Sequence, residues 1–330
     1  MKIMHFIASR GIGRGEVYID LVNELCTKLD IVLLIPKDSL YKYRINDRIQ
    51  VIEYSAKNSR NNPLLLLELW RKIKIEKPEM VHTHFGKASQ IFKKINILLN
   101  IPHVATKHNP RKGKVFNVLP HVIAVSKGVK ESIKNENVKI IYNGVHPIKV
   151  EEHNTSDVFT LLAVGRLDKI KGFDLLIKEC AKLSFSFRLL IVGEGKERSH
   201  LENLITELKL ENKVELLGFR KDIPQLMKDT DVVVMSSHSE GFSLVMVEAL
   251  FYANIFVSTK VSGATEVLSD KFLIDKFNIA NMINDIYHEQ ESFKHDFQNL
   301  QDKVAKKFLL QNIANNHILY YQNIYTSRDD

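Results

Sequence analysis

The chain has 330 residues, 45% hydrophobic and 26% charged, the balance of a globular protein with apolar material for two cores. Its two cysteines, Cys26 and Cys180, lie far apart in helix-like patterns, which excludes a disulfide framework or a cysteine zinc site and points to a reducing compartment. The net charge of +8 is uneven: residues 1–150 hold 26 Lys+Arg against 12 Asp+Glu, and residues 151–330 hold 21 against 27. The two halves are therefore expected to face different partners. A basic half suits phosphates, nucleic acid or an anionic membrane surface, while a plain solvated lysine surface is the competing explanation.

The opening MKIMHFIAS begins like a strand and lacks the apolar core and cleavage site of a signal peptide. No run of about 18 apolar residues follows, so a cytoplasmic chain without a membrane span is expected. Residues 3–8 predict a strand, followed by a glycine-rich turn and a helix over about 16–29. Residues 30–36, 48–54 and 79–84 predict further strands, with a helix near 63–77 before the last. A helix over 88–99, strands at 103–108 and 121–126, a helix near 127–135 and a strand at 138–144 complete the first half. Residues 146–157, HPIKVEEHNTSD, read as a linker. The alternation then restarts with strands at 159–165, 187–193, 214–218, 231–237 and 254–259, with helices near 172–183, 196–209, 222–228 and 243–252 between them. Beyond Lys271 the chain is polar and helical. Strands separated by helices of this length imply βαβ crossovers, parallel sheets and two doubly wound α/β domains. Ligands in such sheets bind beyond the carboxyl ends of strands.

Each motif of interest follows a predicted strand. The loop SRGIGRGE (9–16) lacks the third glycine of a dinucleotide fingerprint, since position 16 is Glu16, but Gly13 and Gly15 allow close backbone approach to a phosphate or a sugar. In GRLDKIKG (165–172), Arg166 and Lys171 are placed either to clamp a diphosphate or to sit solvated on a surface loop. Gly193 and Gly195 close the next strand. In HSEGFSLVMVEAL (238–250), a core helix is the ordinary reading. The alternative puts an anion at the free N–H groups of Phe242–Leu244 and gives the acids Glu240 and Glu248 hydroxyl partners, as a ribose supplies. Asp229-Thr230-Asp231 has the look of a metal motif but falls at the wrong end of its strand, and His82-Thr83-His84 has no third ligand in view, so no metal is expected.

The order and spacing of GR…KG, the G-x-G strand exit, Glu240-x7-Glu248 and VSGATE (261–266) resemble those of retaining glycosyltransferases of family 4, with the GT-B fold. VHTH (81–84), IPHVATKH (101–108), VIAVS (122–126) and YNGV (142–145) carry the likeness through the first half. The resemblance implies two Rossmann-like domains facing across a cleft. Residues 1–148 would bind the acceptor and 149–307 the nucleotide-sugar donor, with a last helix (about 308–330) crossing back. It implies Arg166 and Lys171 on the donor diphosphate in place of a metal, with the Gly13–Gly15 loop over the phosphates. Gly241, Phe242, Ser243 and Leu244 would meet the phosphates through the helix start, with Gly193 and Gly195 completing the donor site. Glu248 would hold the ribose, and Glu240 and His108 would stand at the donor sugar as catalytic residues.

The implied enzyme transfers a hexosyl or N-acetylhexosaminyl group from a nucleotide sugar, UDP favoured, with retention and without cofactor. Its acceptor would be a cell-surface glycan such as lipopolysaccharide, capsule or a lipid-linked saccharide. This sequence departs from the family pattern at Gly13-Arg14-Gly15, His146 and Ala253-Asn254-Ile255. A basic N-domain surface, residues 88–99 and 109–114, is expected to rest on an anionic membrane as a peripheral contact. The competing functions are a nucleotide-sugar epimerase or hydrolase, exposed by incubating donor without acceptor, and a basic nucleic-acid-binding protein. The latter lacks an aromatic-interleaved platform, so no nucleic-acid partner is expected.

Overall fold

The computed structural model describes residues 1–11, 17–55, 59–152 and 158–327. They form two compact units, Met1–Gly144 with the segment from Leu310 onward, and Val145–Leu309.

In the first unit the strands are β1 (Lys2–Ile7), β2 (Asp30–Pro36), β3 (Gln50–Tyr54), β4 (Met80–His84), β5 (His103–Lys107), β6 (His121–Ala124) and β7 (Val138–Ile140). They pair in parallel in the order β3-β2-β1-β4-β5-β6-β7. Strand periodicity divides β1 between two cores. Ile3 and Ile7 pack with Ile31, Leu33 and Ile35, the helix Val17–Leu25 and, from the C-terminal helix Leu310–Thr326, Ile313 and Tyr321. Met4 and Phe6 pack on the opposite face with Leu65, Leu69, Ile91 and Phe92. The C-terminal helix thus completes a layer of the first unit.

The second unit holds β8 (Phe159–Val164), β9 (Phe187–Val192), β10 (Val214–Gly218), β11 (Val232–Met235), β12 (Phe256–Thr259) and β13 (Leu273–Ile274), again parallel, in the order β10-β9-β8-β11-β12-β13. Both sheets are doubly wound, so the expected fold class holds. In each sheet the strand order reverses, between β1 and β4 and between β8 and β11, and such reversals open a crevice at the carboxyl ends of the flanking strands.

Two local expectations are corrected. The helix expected over 88–99 runs Phe85–Ile95. Asn96 ends it by donating to the Ile101 carbonyl at 2.8 Å and accepting from the Ile101 N–H at 2.9 Å, which turns the chain. β13 was not expected at all, because two residues are too few to display a period; it forms by pairing with Ser258 and Thr259.

Candidate functional site

In the second unit the chain leaves β8 through Gly165 and Arg166, makes a tight turn over Lys169–Lys171 and enters the helix Phe173–Cys180 at Gly172. Gly172 has a φ of 65°, and a Cβ there would collide with the Ser236 carbonyl oxygen, so this crossing favours glycine. The turn is tied to the exit of β11. The Ser236 hydroxyl donates to the Lys171 carbonyl at 2.9 Å, and the His238 N–H donates to the Ile170 carbonyl at 2.7 Å. Above these links Lys171 Nζ donates to Glu240 Oε1 at 2.6 Å, and the Ser237 hydroxyl donates to the same oxygen at 2.7 Å. Lys171 and Glu240 are only 19% and 14% exposed, so their attraction is screened less than that of a surface pair. Arg166, 51% exposed, reaches Asp168 at 3.4 Å. Gly193 and Gly195 bring the β9 exit against this loop: the Gly165 N–H donates to the Val192 carbonyl at 2.9 Å, and the Leu167 N–H to the Glu194 carbonyl at 3.0 Å.

The segment Gly241–Ser243 leads into the helix Leu244–Tyr252, capped by Ser243, whose hydroxyl accepts from the Met246 N–H at 3.5 Å. Phe242 is buried, its ring centroid 5.5 Å from that of Phe308, and the Ser262 hydroxyl donates to the Gly241 carbonyl at 3.3 Å. The side chains of Phe242 and Ser243 are therefore committed inward, and any ligand contact here would come from backbone N–H groups of the first turn. Glu248 lies one turn further on and is half-buried. Asp231 lies at the opposite end of β11 and works there as a structural acceptor, taking the Thr160 N–H and the Gln290 amide at 2.7 Å each.

In the first unit the structure assembles histidines that are scattered in the sequence. His5 of β1 stands in register with His82 of β4, two residues before His84. His5 Nδ1 lies 3.0 Å from His84 Nε2, and His84 Nδ1 lies 3.1 Å from His108 Nε2. His82 meets Tyr321 Oη at 2.6 Å and Thr106 Oγ1 at 2.7 Å. His108 borders a narrow cavity with Tyr18, His84, Thr106, Asn143 and His317, beyond the carboxyl ends of β4 and β5. Ring nitrogens of His5, His82 and His84 fall within 4.8 Å of one another. Both His82 nitrogens are engaged by hydroxyls, and its ring stacks on His84 with centroids 4.4 Å apart.

Burial, reinforced by neighbouring histidines, holds these imidazoles neutral: His5 and His108 are lowered to about 3, His317 by burial to about 4, and His82 and His84 well below the ordinary 6.5. The unfolded chain therefore takes up more protons as pH falls below 6.5, and stability is lost between that value and about 3. Trp70, the single tryptophan, sits on the helix Pro63–Glu76 of the first unit and reports on it. Urea unfolding followed by Trp70 fluorescence should show about 2 kcal/mol or more less stability at pH 5 than at pH 7.5. An unchanged stability would contradict neutral burial of the cluster.

Of the residues singled out from sequence, the structure brings Lys171 and Glu240 into contact and sets Arg166, Gly193 and Gly195 in the adjoining loops. Gly13 and Gly15 lie outside the described residues. Sequence reasoning missed Ser236, Ser237, His5, His317 and Tyr321. A histidine inside the apolar stretch MHFI was the available signal for His5.

Residues 15–148 match the family model Glycosyltransferase Family 4, and residues 146–303 match Glycosyl transferases group 1. An uncharacterized glycosyltransferase of Methanocaldococcus jannaschii is 30% identical over 223 residues, 61% of each chain. The Campylobacter jejuni N-acetylgalactosamine-N,N'-diacetylbacillosaminyl-diphospho-undecaprenol 4-alpha-N-acetylgalactosaminyltransferase is 32% identical over 199 residues, 57% of this chain and 54% of that protein. The chain thus covers less than two thirds of the length of these two relatives. The structure of Anabaena HepE in complex with UDP-glucose superposes with a TM-score of 0.86 at 23% identity, over 98% of this chain and 100% of that one, a likeness that establishes the shared GT-B fold.

Proposed function

We infer that the chain is a glycosyltransferase of the GT-B fold that moves a sugar from a nucleoside-diphosphate donor, UDP favoured, to a hydroxyl of a cell-surface glycan, with retention and without a metal. The observation that carries this reading is the meeting of the Arg166–Lys171 loop, Glu240 and the start of the helix Leu244–Tyr252 around the strand-order reversal between β8 and β11. Two cations and a helix N-terminus suit a diphosphate, and a carboxylate one turn inside that helix suits ribose hydroxyls. Both family matches support glycosyl transfer, and the UDP-glucose bound by HepE supports the choice of donor.

In this mechanism Lys171 and Arg166 stabilise the departing nucleoside diphosphate as the anomeric C–O bond breaks and its electron pair passes to the phosphate oxygen. The acceptor oxygen attacks the anomeric carbon from the same face, and its proton goes to that phosphate oxygen. Glu248 holds the ribose, while Glu240 faces the sugar and exchanges its contact with Lys171 for one with the substrate. Thermal-shift screening of the intact protein against UDP-, GDP- and ADP-sugars tests the reading: UDP-glucose or another UDP-sugar should raise Tm. No shift with any nucleotide sugar would overturn it.

The acceptor we propose is lipid-linked, as the name of the Campylobacter enzyme states for that protein. A surface of the first unit supports this. Ile97, Leu98 and Val118 are exposed beside Lys93 and Lys94, the mixture that lets a protein rest on an anionic leaflet. Among the described residues no helix is long and apolar enough to cross a membrane. The protein should sediment with vesicles containing phosphatidylglycerol at low salt and be released as salt rises; failure to sediment would remove the peripheral contact.

A further inference from the structure

The buried contacts of the first unit link three imidazoles in a row, His5 to His84 to His108, and only His108 lies partly open at the cavity. A neutral imidazole carries one N–H and one lone pair, so each link needs a donor on one ring and an acceptor on the next. The middle ring has a single proton, and its position therefore decides both neighbours. With the proton on His84 Nε2, His84 donates to His5, and His5 must carry its own proton on Nε2. With the proton on His84 Nδ1, His84 donates to His108, and His5 donates to His84 from Nδ1.

The two arrangements differ at the buried end. His5 is fully buried, and its Nε2 has no hydrogen-bond partner among the described residues. The first arrangement would strand an N–H there, the second only a lone pair, and orphaned buried N–H groups are the rarer and costlier defect. Protonating the row to escape the choice is opposed by burial, which lowers all three imidazoles. A second branch, His82 between Tyr321 and Thr106, packs against the row and holds its rings in place.

We propose that His84 is a positioning residue which, anchored by His5, donates to Nε2 of His108 and so fixes His108 as the tautomer protonated at Nδ1. His108 then presents its Nδ1–H at the cavity as a hydrogen-bond donor to an oxygen of the transferred sugar, and does not serve as a base. This rests on the glycosyltransferase reading only for the identity of that oxygen. The tautomer itself stands on the geometry of the row.

The test has two arms on the full chain. Nitrogen-15 NMR of histidine-labelled protein, with the His108 signals identified by their loss in His108→Asn, should show the proton of His108 on Nδ1 at neutral pH. A proton on Nε2 overturns the proposal. In the second arm UDP release from UDP-glucose is followed alongside UDP binding by calorimetry. His84→Phe should lower kcat on the order of 10-fold, the scale for a residue that orients a reacting group through a hydrogen bond, with UDP affinity unchanged. His84→Asn keeps an amide donor and should recover part of the loss. Wild-type turnover in His84→Phe, or an Asn variant no better than Phe, removes the positioning role. Absence of UDP binding by the wild-type protein would instead strike the proposed function and leave the NMR result standing.

Discussion

Lys171→Ala and Arg166→Ala are each expected to lower turnover at least about 100-fold, on the scale of losing a group that stabilises charge developing in the transition state. The structure separates the two cases. Lys171 is held by Glu240 at 2.6 Å and is largely sheltered, whereas Arg166 is half exposed beside Asp168. Removing Lys171 leaves the Glu240 carboxylate, 14% exposed, with the Ser237 hydroxyl as its remaining side-chain donor among the described residues. Lys171→Ala should therefore also cost stability, about 1–3 kcal/mol, between the values for exposed and fully buried pairs. Arg166→Ala should leave stability within about 0.5 kcal/mol. Steady-state assays with UDP-glucose, paired with urea unfolding of each variant, distinguish lost chemistry from lost folding. Near-normal sugar transfer by either variant would sink the diphosphate assignment, and a stable Lys171→Ala would show that the Glu240 pair contributes nothing.

The second large effect concerns backbone. Gly193→Ala should destabilise the second unit by about 3 kcal/mol or more, because overpacking and a disfavoured φ act together. Gly193 has a φ of 145°, and a Cβ there would overlap the Gly165 carbonyl oxygen; that atom belongs to backbone and cannot swing aside as a side chain would. Relief would require β8 and β9 to separate at their carboxyl ends, where Gly165 and Arg166 begin the proposed phosphate loop. The variant should thus lose donor affinity along with stability. Differential scanning calorimetry and UDP titration read the two effects, and an unaltered melting profile would refute the close approach.

Much of this architecture was legible because its signals are local. A β-branched run such as DVVVMSS, a glycine-rich turn and an amphipathic helix each declare themselves within about ten residues, and their alternation implies parallel sheets. Helix ends were less legible. The helix expected over 88–99 stops at Ile95 because the Asn96 side chain pairs with the backbone of Ile101, a competition that periodicity does not register.

The chemistry of the candidate site divides in the same way. The order of residues along the chain was enough to put Arg166, Lys171, Glu240 and Glu248 beyond strand ends, since strand exits can be read from turn residues and hydrophobic runs. It could not say that Lys171 would meet Glu240, 69 residues away, because that contact depends on β8 and β11 becoming neighbours. The histidine row is the extreme case. His82 and His84 gave only a same-face pair, while His5 arrives through the register of β1 on β4, and Tyr321 comes from a helix 239 residues beyond His82. Local propensity determines which segments become strands, turns and helices. Strand register and helix docking, set by burial of apolar faces across the whole unit, decide which of their polar groups share a hydrogen bond.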